Sequence, residues 1–178
     1  MQRFMNSDES HGVRTPPTGL RAATTDDVEA FITVFLDCWQ LSYSRTMPRE
    51  LVERMTRESA EALWREALTG GGDRYLAAED ESGALVGFVG CRVTDPGSGY
   101  VSSLYVSPHA QGGGYGRRLL AGAEAELKAL GAVTARLWVF EQNGPSRGFY
   151  ERSGWALDGT REVLPEWGQP QVGMAKRL

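Results

Sequence analysis

The segment Leu104-Tyr105-Val106-Ser107-Pro108-His109-Ala110-Gln111-Gly112-Gly113-Gly114-Tyr115-Gly116-Arg117-Arg118-Leu119-Leu120 carries the plainest chemistry in the chain. An apolar, partly β-branched run stops at a proline, passes through glycines and re-emerges with a helical pattern. Free backbone N–H groups project from a helix N-terminus, where the macrodipole is positive, and missing side chains let a phosphate approach closely. Arg117 and Arg118 add positive charge. Such a segment is an anion cradle.

Phosphate cradles come in several designs. A nucleotide P-loop requires Lys and then Ser or Thr after its last glycine, but Gly116 is followed by Arg117 and Arg118. The dinucleotide fingerprint requires Gly or Ala where Leu119 stands, and a parallel strand unit opening the domain. A third design fits: Gln111-x-x-Gly114-x-Gly116 resembles the Gln/Arg-x-x-Gly-x-Gly/Ala signature of the Gcn5-related N-acetyltransferase family, here preceded by Leu104-Tyr105-Val106-x-Pro108. A glycine-rich turn opening a helix would account for that motif alone. However, Asn143-Gly144-Pro145-Ser146-Arg147-Gly148-Phe149-Tyr150-Glu151-Arg152-Ser153-Gly154-Trp155 resembles the second family signature, Asn-x-x-Ser/Ala-x-x-Phe-Tyr-x-x-x-Gly-Phe/Trp. The two occur in the family's order, with one helix and one strand between them, and the resemblance covers Leu20 to Leu178.

The resemblance implies an acetyl-CoA-dependent N-acetyltransferase with an α/β fold. Its mixed, mostly antiparallel central sheet would contain a splayed parallel pair and be flanked by helices. Acetyl-CoA is then the co-substrate and no metal is called for. By similarity, backbone groups of Tyr105 and Val106 pair with the pantetheine arm inside the V. The amides of Gln111, Gly112, Gly113, Gly114, Tyr115, Gly116 and Arg117 receive the pyrophosphate, and Asn143 and Ser146 contact the cofactor from the other arm. Tyr150 takes the position of the family's general acid; a phenol with a pKa of about 10 is protonated at neutral pH and can donate to a departing thiolate. The competing account of Tyr150 is an ordinary core tyrosine.

The base departs from the family pattern, because the position where many members carry glutamate is Tyr100. Glu79, Glu141 and a water held by Ser102 or Ser103 are the substitutes, although each acid is as easily a solvated strand-end charge. This departure keeps a second class open, a non-catalytic acyl-CoA-binding or sensor module, against which stands the tyrosine at 150. It also bears on the acceptor. A lysine-like amine of pKa about 10.4 is scarcely neutral at pH 7, whereas an α-amine near 8 is about a tenth free base. The reading favours an α-amino group, in a small molecule or at a peptide terminus, and leaves an aminoglycoside or polyamine open. Trp39 and Tyr43, beside Arg45, are the candidate acceptor-binding residues; the alternative is core packing for Trp39 and solvent for Arg45.

The elements that must position these groups follow from periodicity. Leu20–Ala22 reads as a short strand, and Thr24, Thr25, Asp26 and Asp27 announce a helix with Val28, Phe31, Ile32, Phe35 and Trp39 on one face. A break over residues 42–48 precedes a second amphipathic segment carrying Leu51, Val52, Met55, Leu63, Trp64 and Leu68, which ends at Gly70. Residues 75–78 and 85–93 predict a hairpin, and 100–106 a third antiparallel strand that stops at Pro108. A helix over 115–130 with Leu119, Leu120, Ala123, Leu127 and Leu130 on one face is followed by a strand over 133–140 and a short helix over 143–153. Extended chain runs from Trp155 to the end. The strand–helix–strand succession requires a parallel pair.

The 178 residues suit one catalytic domain over 19–178. Residues 1–18, polar and with paired prolines, read as a disordered tail without the apolar core of a signal peptide. Net charge is −4, which predicts neither nucleic acid nor membrane as partner, and no apolar run spans a bilayer. A cytoplasmic protein is expected, with room for a homodimer. Cys38 and Cys91, each in an apolar stretch, read as small buried hydrophobes, and His11 and His109 are too few for a histidine-rich metal site.

Overall fold

The computed structural model describes residues 19–178; the expected tail, with His11, lies outside the described residues. Strand β1 (Leu20–Ala22) leads through a 3₁₀ turn at Thr25–Asp27 into α1 (Val28–Asp37). The entry is a capping arrangement. The Asp27 carboxylate accepts from Thr24 N–H at 2.8 Å and is gripped by both terminal nitrogens of Arg21 at 2.8 Å. All five residues of the first stripe are buried, and Phe31 stacks on Phe88 with centroids 3.8 Å apart. Burying such a side chain contributes about 1.5–3 kcal/mol, so this stripe fixes the helix on the sheet.

The second amphipathic segment is two helices, α2 (Arg49–Glu53) and α3 (Arg57–Thr69). Thr56 divides them, accepting from Ser59 N–H as the N-cap of α3. Within α3 the buried face runs through Ala60 and Trp64, whereas Leu63 is 45% exposed, because it lies about 100° round the helix from Trp64.

Then follow β2 (Arg74–Glu79), β3 (Leu85–Asp95) and β4 (Ser98–Val106), an antiparallel series. Helix α4 (Tyr115–Ala129) crosses to β5 (Thr134–Phe140), and α5 (Gly144–Arg152) leads into a C-terminal hairpin of β6 (Ala156–Val163) and β7 (Pro170–Arg177). Leu130 follows the last turn of α4 and is 40% exposed, so the buried stripe of that helix ends at Leu127.

The seven strands form one sheet in the order β1-β2-β3-β4-β5-β7-β6. Helices α1 and α3 cover one face through Phe31, Phe35 and Trp64, and α4 covers the other through Leu119, Leu120 and Leu127. Among the described residues only β4 and β5 are parallel, and they pair for three residues, Ser98–Tyr100 against Thr134–Arg136. Beyond that, β4 stays paired with β3 as far as Val106, and β5 with β7 as far as Phe140. Their facing edges therefore separate into a V. Among the described residues no helix is long and apolar enough to cross a membrane.

Candidate active site

The V opens into a cleft of about 720 Å³. Its first wall is the end of β4. Ser107 N–H donates to Val86 C=O at 2.8 Å, so by the alternation of a strand Tyr105 also turns its backbone groups towards β3. Leu104 and Val106 are left facing the cleft. The sequence reading paired Tyr105 with Val106, and Leu104, Tyr105 and Val106 all line the cleft; the ladder leaves the backbone groups of Leu104 and Val106, not those of Tyr105, facing it, while the Tyr105 ring packs beneath α1 against Phe35 at 5.2 Å. Val106 C=O already accepts from Cys38 Sγ at 3.2 Å and from Gln111 Nε2 at 3.2 Å.

The glycine loop forms the end of the cleft. Gly114 is the N-cap of α4 at φ 79°, a left-handed conformation that suits glycine, and a Cβ there would meet open space. Arg118 N–H closes the first helical bond onto Gly114 C=O at 3.1 Å. The amides of Tyr115, Gly116 and Arg117 precede it and accordingly have no intrahelical acceptor. Gln111, Gly112, Gly114, Tyr115, Gly116 and Arg117 line the cleft. Gly113 does not: its N–H points back to Ala110 C=O, and a Cβ on it would meet the Tyr115 ring at 2.9 Å. Bare glycine surface, unpaired amides and Arg117 together fit an anionic phosphate chain.

The opposite wall is α5. Asn143, Ser146 and Tyr150 all line the cleft, with Pro145 and Phe149 between them. Asn143 is the N-cap of α5, accepting from Ser146 N–H at 3.2 Å, so its side chain already serves the helix. Tyr150 is 9% exposed, its ring edge-on to Phe149 at 5.2 Å. Burial raises its phenol well above the ordinary value, so it stays protonated across the neutral range. Its hydroxyl has no hydrogen-bond partner among the described residues.

The third wall comes from the end of the first helix, where a π-helical stretch, Cys38–Ser42, interrupts the α period. The wider turn brings Cys38, Ser42, Tyr43, Arg45 and Thr46 to the cleft. Trp39 is not brought there: it is 1% exposed in the core, 4.7 Å from Tyr43 and stacked at 6.0 Å on Trp167. Burial raises the Tyr43 phenol as well, and pushes the Cys38 thiol up to about 12. Cys38 and Cys91 are both free and buried.

None of the candidate bases lines the cleft. Glu79 pairs with Arg21 at 2.6 Å and Glu141 with Arg161 at 2.9 Å. Ser102 donates to Asp73, and Ser103 Oγ is buried without a partner among the described residues. Tyr100 sits under the Arg92 guanidinium at 4.6 Å. Among the described residues lining the cleft there is no Asp or Glu, whereas Arg45, Arg117 and Arg152 are present. No group of three or more His, Cys, Asp or Glu among the described residues is placed to hold a metal ion.

The chain belongs to the acetyltransferase (GNAT) family, whose model matches residues 29–155. It is an acetyltransferase. Among its relatives is a spermidine N(1)-acetyltransferase of Thermoplasma acidophilum, 27% identical over 146 residues, covering 79% of this chain and 89% of that one. A mycothiol acetyltransferase of Beutenbergia cavernae is 38% identical over 80 residues, but the match spans 45% of this chain and 27% of the relative. The same fold occurs in the crystal structure of the PaiA N-acetyltransferase of Thermoplasma acidophilum in complex with coenzyme A. That structure has a TM-score of 0.71 and 22% identity, covering 89% of this chain and 98% of that one.

Proposed function

We propose that this enzyme transfers the acetyl group of acetyl-CoA to an amine of low pKa, an α-amino group, with Tyr150 as general acid. The bound thioester supplies an acetyl group already activated for attack. The amides of the glycine loop hold the phosphates, and the facing edge of β4 at Leu104 and Val106 lays the pantetheine arm along the V. As the amine nitrogen bonds to the carbonyl carbon and the C–S bond breaks, the Tyr150 hydroxyl delivers its proton to sulfur; the nitrogen sheds its extra proton to water, and solvent returns one to the Tyr150 phenolate. The observation that carries this reading is the Tyr150 hydroxyl itself, without a partner among the described residues, protonated and on the cleft wall opposite β4.

The charge lining the cleft supports the choice of acceptor. The relative from Thermoplasma acidophilum is named for spermidine, a polycation. A polycation gains from carboxylates, and this cleft presents three arginines and no carboxylate among its described lining residues. An amine that is partly neutral at pH 7 also needs no strong base. A screen of amines for acetyl-CoA-dependent thiol release tests this directly. Faster turnover of α-amines than of polyamines is expected, and a preference for polyamines would contradict the assignment.

A further inference from the structure

The chain between α1 and α2 runs as a strap from the end of β4 to the end of β5. At one end Cys38 Sγ donates to the C=O of Val106, the last residue of β4, at 3.2 Å. At the other, Gln142 Nε2, just past β5, donates to Met47 Sδ at 3.9 Å. Between them the Tyr43 ring stands edge-on to Phe140 at 6.1 Å. Tyr43 and Phe140 pack with the core under α1, whereas Tyr115, Phe149 and Tyr150 pack with the core under α4. The strap therefore bounds the cleft on the α1 side of the sheet, opposite α4 and α5.

Within the strap, the 3₁₀ turn Tyr43–Arg45 is closed by the N–H groups of Thr46 and Met47, which donate to Tyr43 C=O at 2.9 and 2.7 Å. That turn holds Arg45 exposed on the cleft wall. The next arginines along the chain are engaged: Arg49 by Glu53 at 2.6 Å, Arg54 by Glu166 C=O at 2.6 Å, and Arg57 by Glu29. Arg45 has neither an ion pair nor a side-chain hydrogen bond among the described residues. Its fork of donors matches a carboxylate, and the hydroxyls of Ser42 and Thr46 line the same wall. The phosphates of the cofactor belong to the glycine loop at the start of α4, across the sheet, and so do not account for a guanidinium here.

We propose that Arg45 is a specificity-determining residue that holds a carboxylate of the acceptor, so that the preferred substrate is an α-amine with an acidic group a few bonds from its nitrogen. The proposal rests on the α-amine reading above and narrows it. Two sources supply the same chemistry: the α-carboxylate of a free amino acid, and an acidic side chain next to a peptide N-terminus.

Steady-state acetylation of two matched pairs tests the assignment, with kcat/KM referred to the free-base amine. Alanine against alaninamide reads the first source; alanyl-glutamate against alanyl-glutamine, both as carboxamides, reads the second. The parent is expected to favour the acidic member of at least one pair by about fivefold or more, the worth of an ion pair partly open to water. Arg45→Gln should bring that ratio to within about twofold of unity, and Arg45→Lys should keep part of it. Calorimetry with coenzyme A reports that the variants are folded. No preference in either pair, or a preference that survives Arg45→Gln, would overturn the role of Arg45 and leave the α-amine reading standing. Acetylation of a polyamine but of none of these α-amines would overturn both.

Discussion

Asn143 Oδ1 accepts a hydrogen bond from Ser146 N–H at 3.2 Å, and both residues stand on the cleft wall. The pair that the family signature offers as cofactor contacts is also the N-cap of the helix carrying Tyr150. Asn143→Ala should therefore lower stability by about 1 kcal/mol, the usual worth of a cap, whereas Asn143→Asp keeps a capping oxygen and most of that stability. Urea unfolding of the two variants separates the cap from any role in binding.

Gly114→Asp should weaken coenzyme A binding by more than about tenfold while costing about 1–2 kcal/mol of stability. The left-handed backbone at φ 79° disfavours a side chain, and the new carboxylate would stand beside the phosphates. Calorimetry on the folded variant checks this, and an unchanged affinity would remove the cradle.

Acid stability should depend on Asp27. The hydrogen bond from Arg21, opposed by burial, holds its carboxyl below the ordinary value of 3.8. Because the folded form binds this proton less readily than the unfolded chain, the stabilisation is whole well above the unfolded value of 3.8, begins to fall there, and is lost as pH drops through the lower folded-state value. Asp27→Asn should be less stable than the parent by about 1 kcal/mol at neutral pH, with the gap narrowing below about pH 5. Thermal unfolding as a function of pH reads the convergence.

The V and the glycine turn that opens α4 were legible because each rests on local patterns. Apolar alternation marks β4 and β5, and glycines followed by a 3.6-residue stripe mark the start of α4. Other features leave no such trace. Register partners Gly90↔Ser103 and Cys91↔Val101 leave Ser102 as an extra residue in β4, a bulge that no composition signals. The π-helical stretch at Cys38–Ser42 likewise separates Trp39, kept in the core, from Tyr43, brought to the cleft, although a simple helical count groups them. The cap at Thr56 that divides α2 from α3 is hidden because the apolar residues on either side of it run on as one pattern. Arg152 stands inside the second motif, yet only the meeting of α4 with α5 places it beside Arg117.

With no carboxylate among the described residues lining the cleft, the pH dependence of kcat/KM should follow the free-base fraction of the acceptor. For two amines of well-separated pKa, the apparent pKa should move with the substrate. One shared value in the acid range would instead mean that an enzymic carboxylate takes the proton.

The central claim is the role of Tyr150, and Tyr150→Phe tests it most directly. The substitution removes a hydroxyl that has no partner among the described residues and keeps the ring against Phe149 and Trp155, so stability should change by less than about 0.5 kcal/mol. Steady-state kinetics with the best acceptor, alongside calorimetry with coenzyme A, measure the rest. The account predicts a fall in kcat of about 100-fold or more with coenzyme A affinity within about twofold. A kcat within a few-fold of the parent, with the chemical step shown to limit the rate, would contradict it and leave Tyr150 a packing residue.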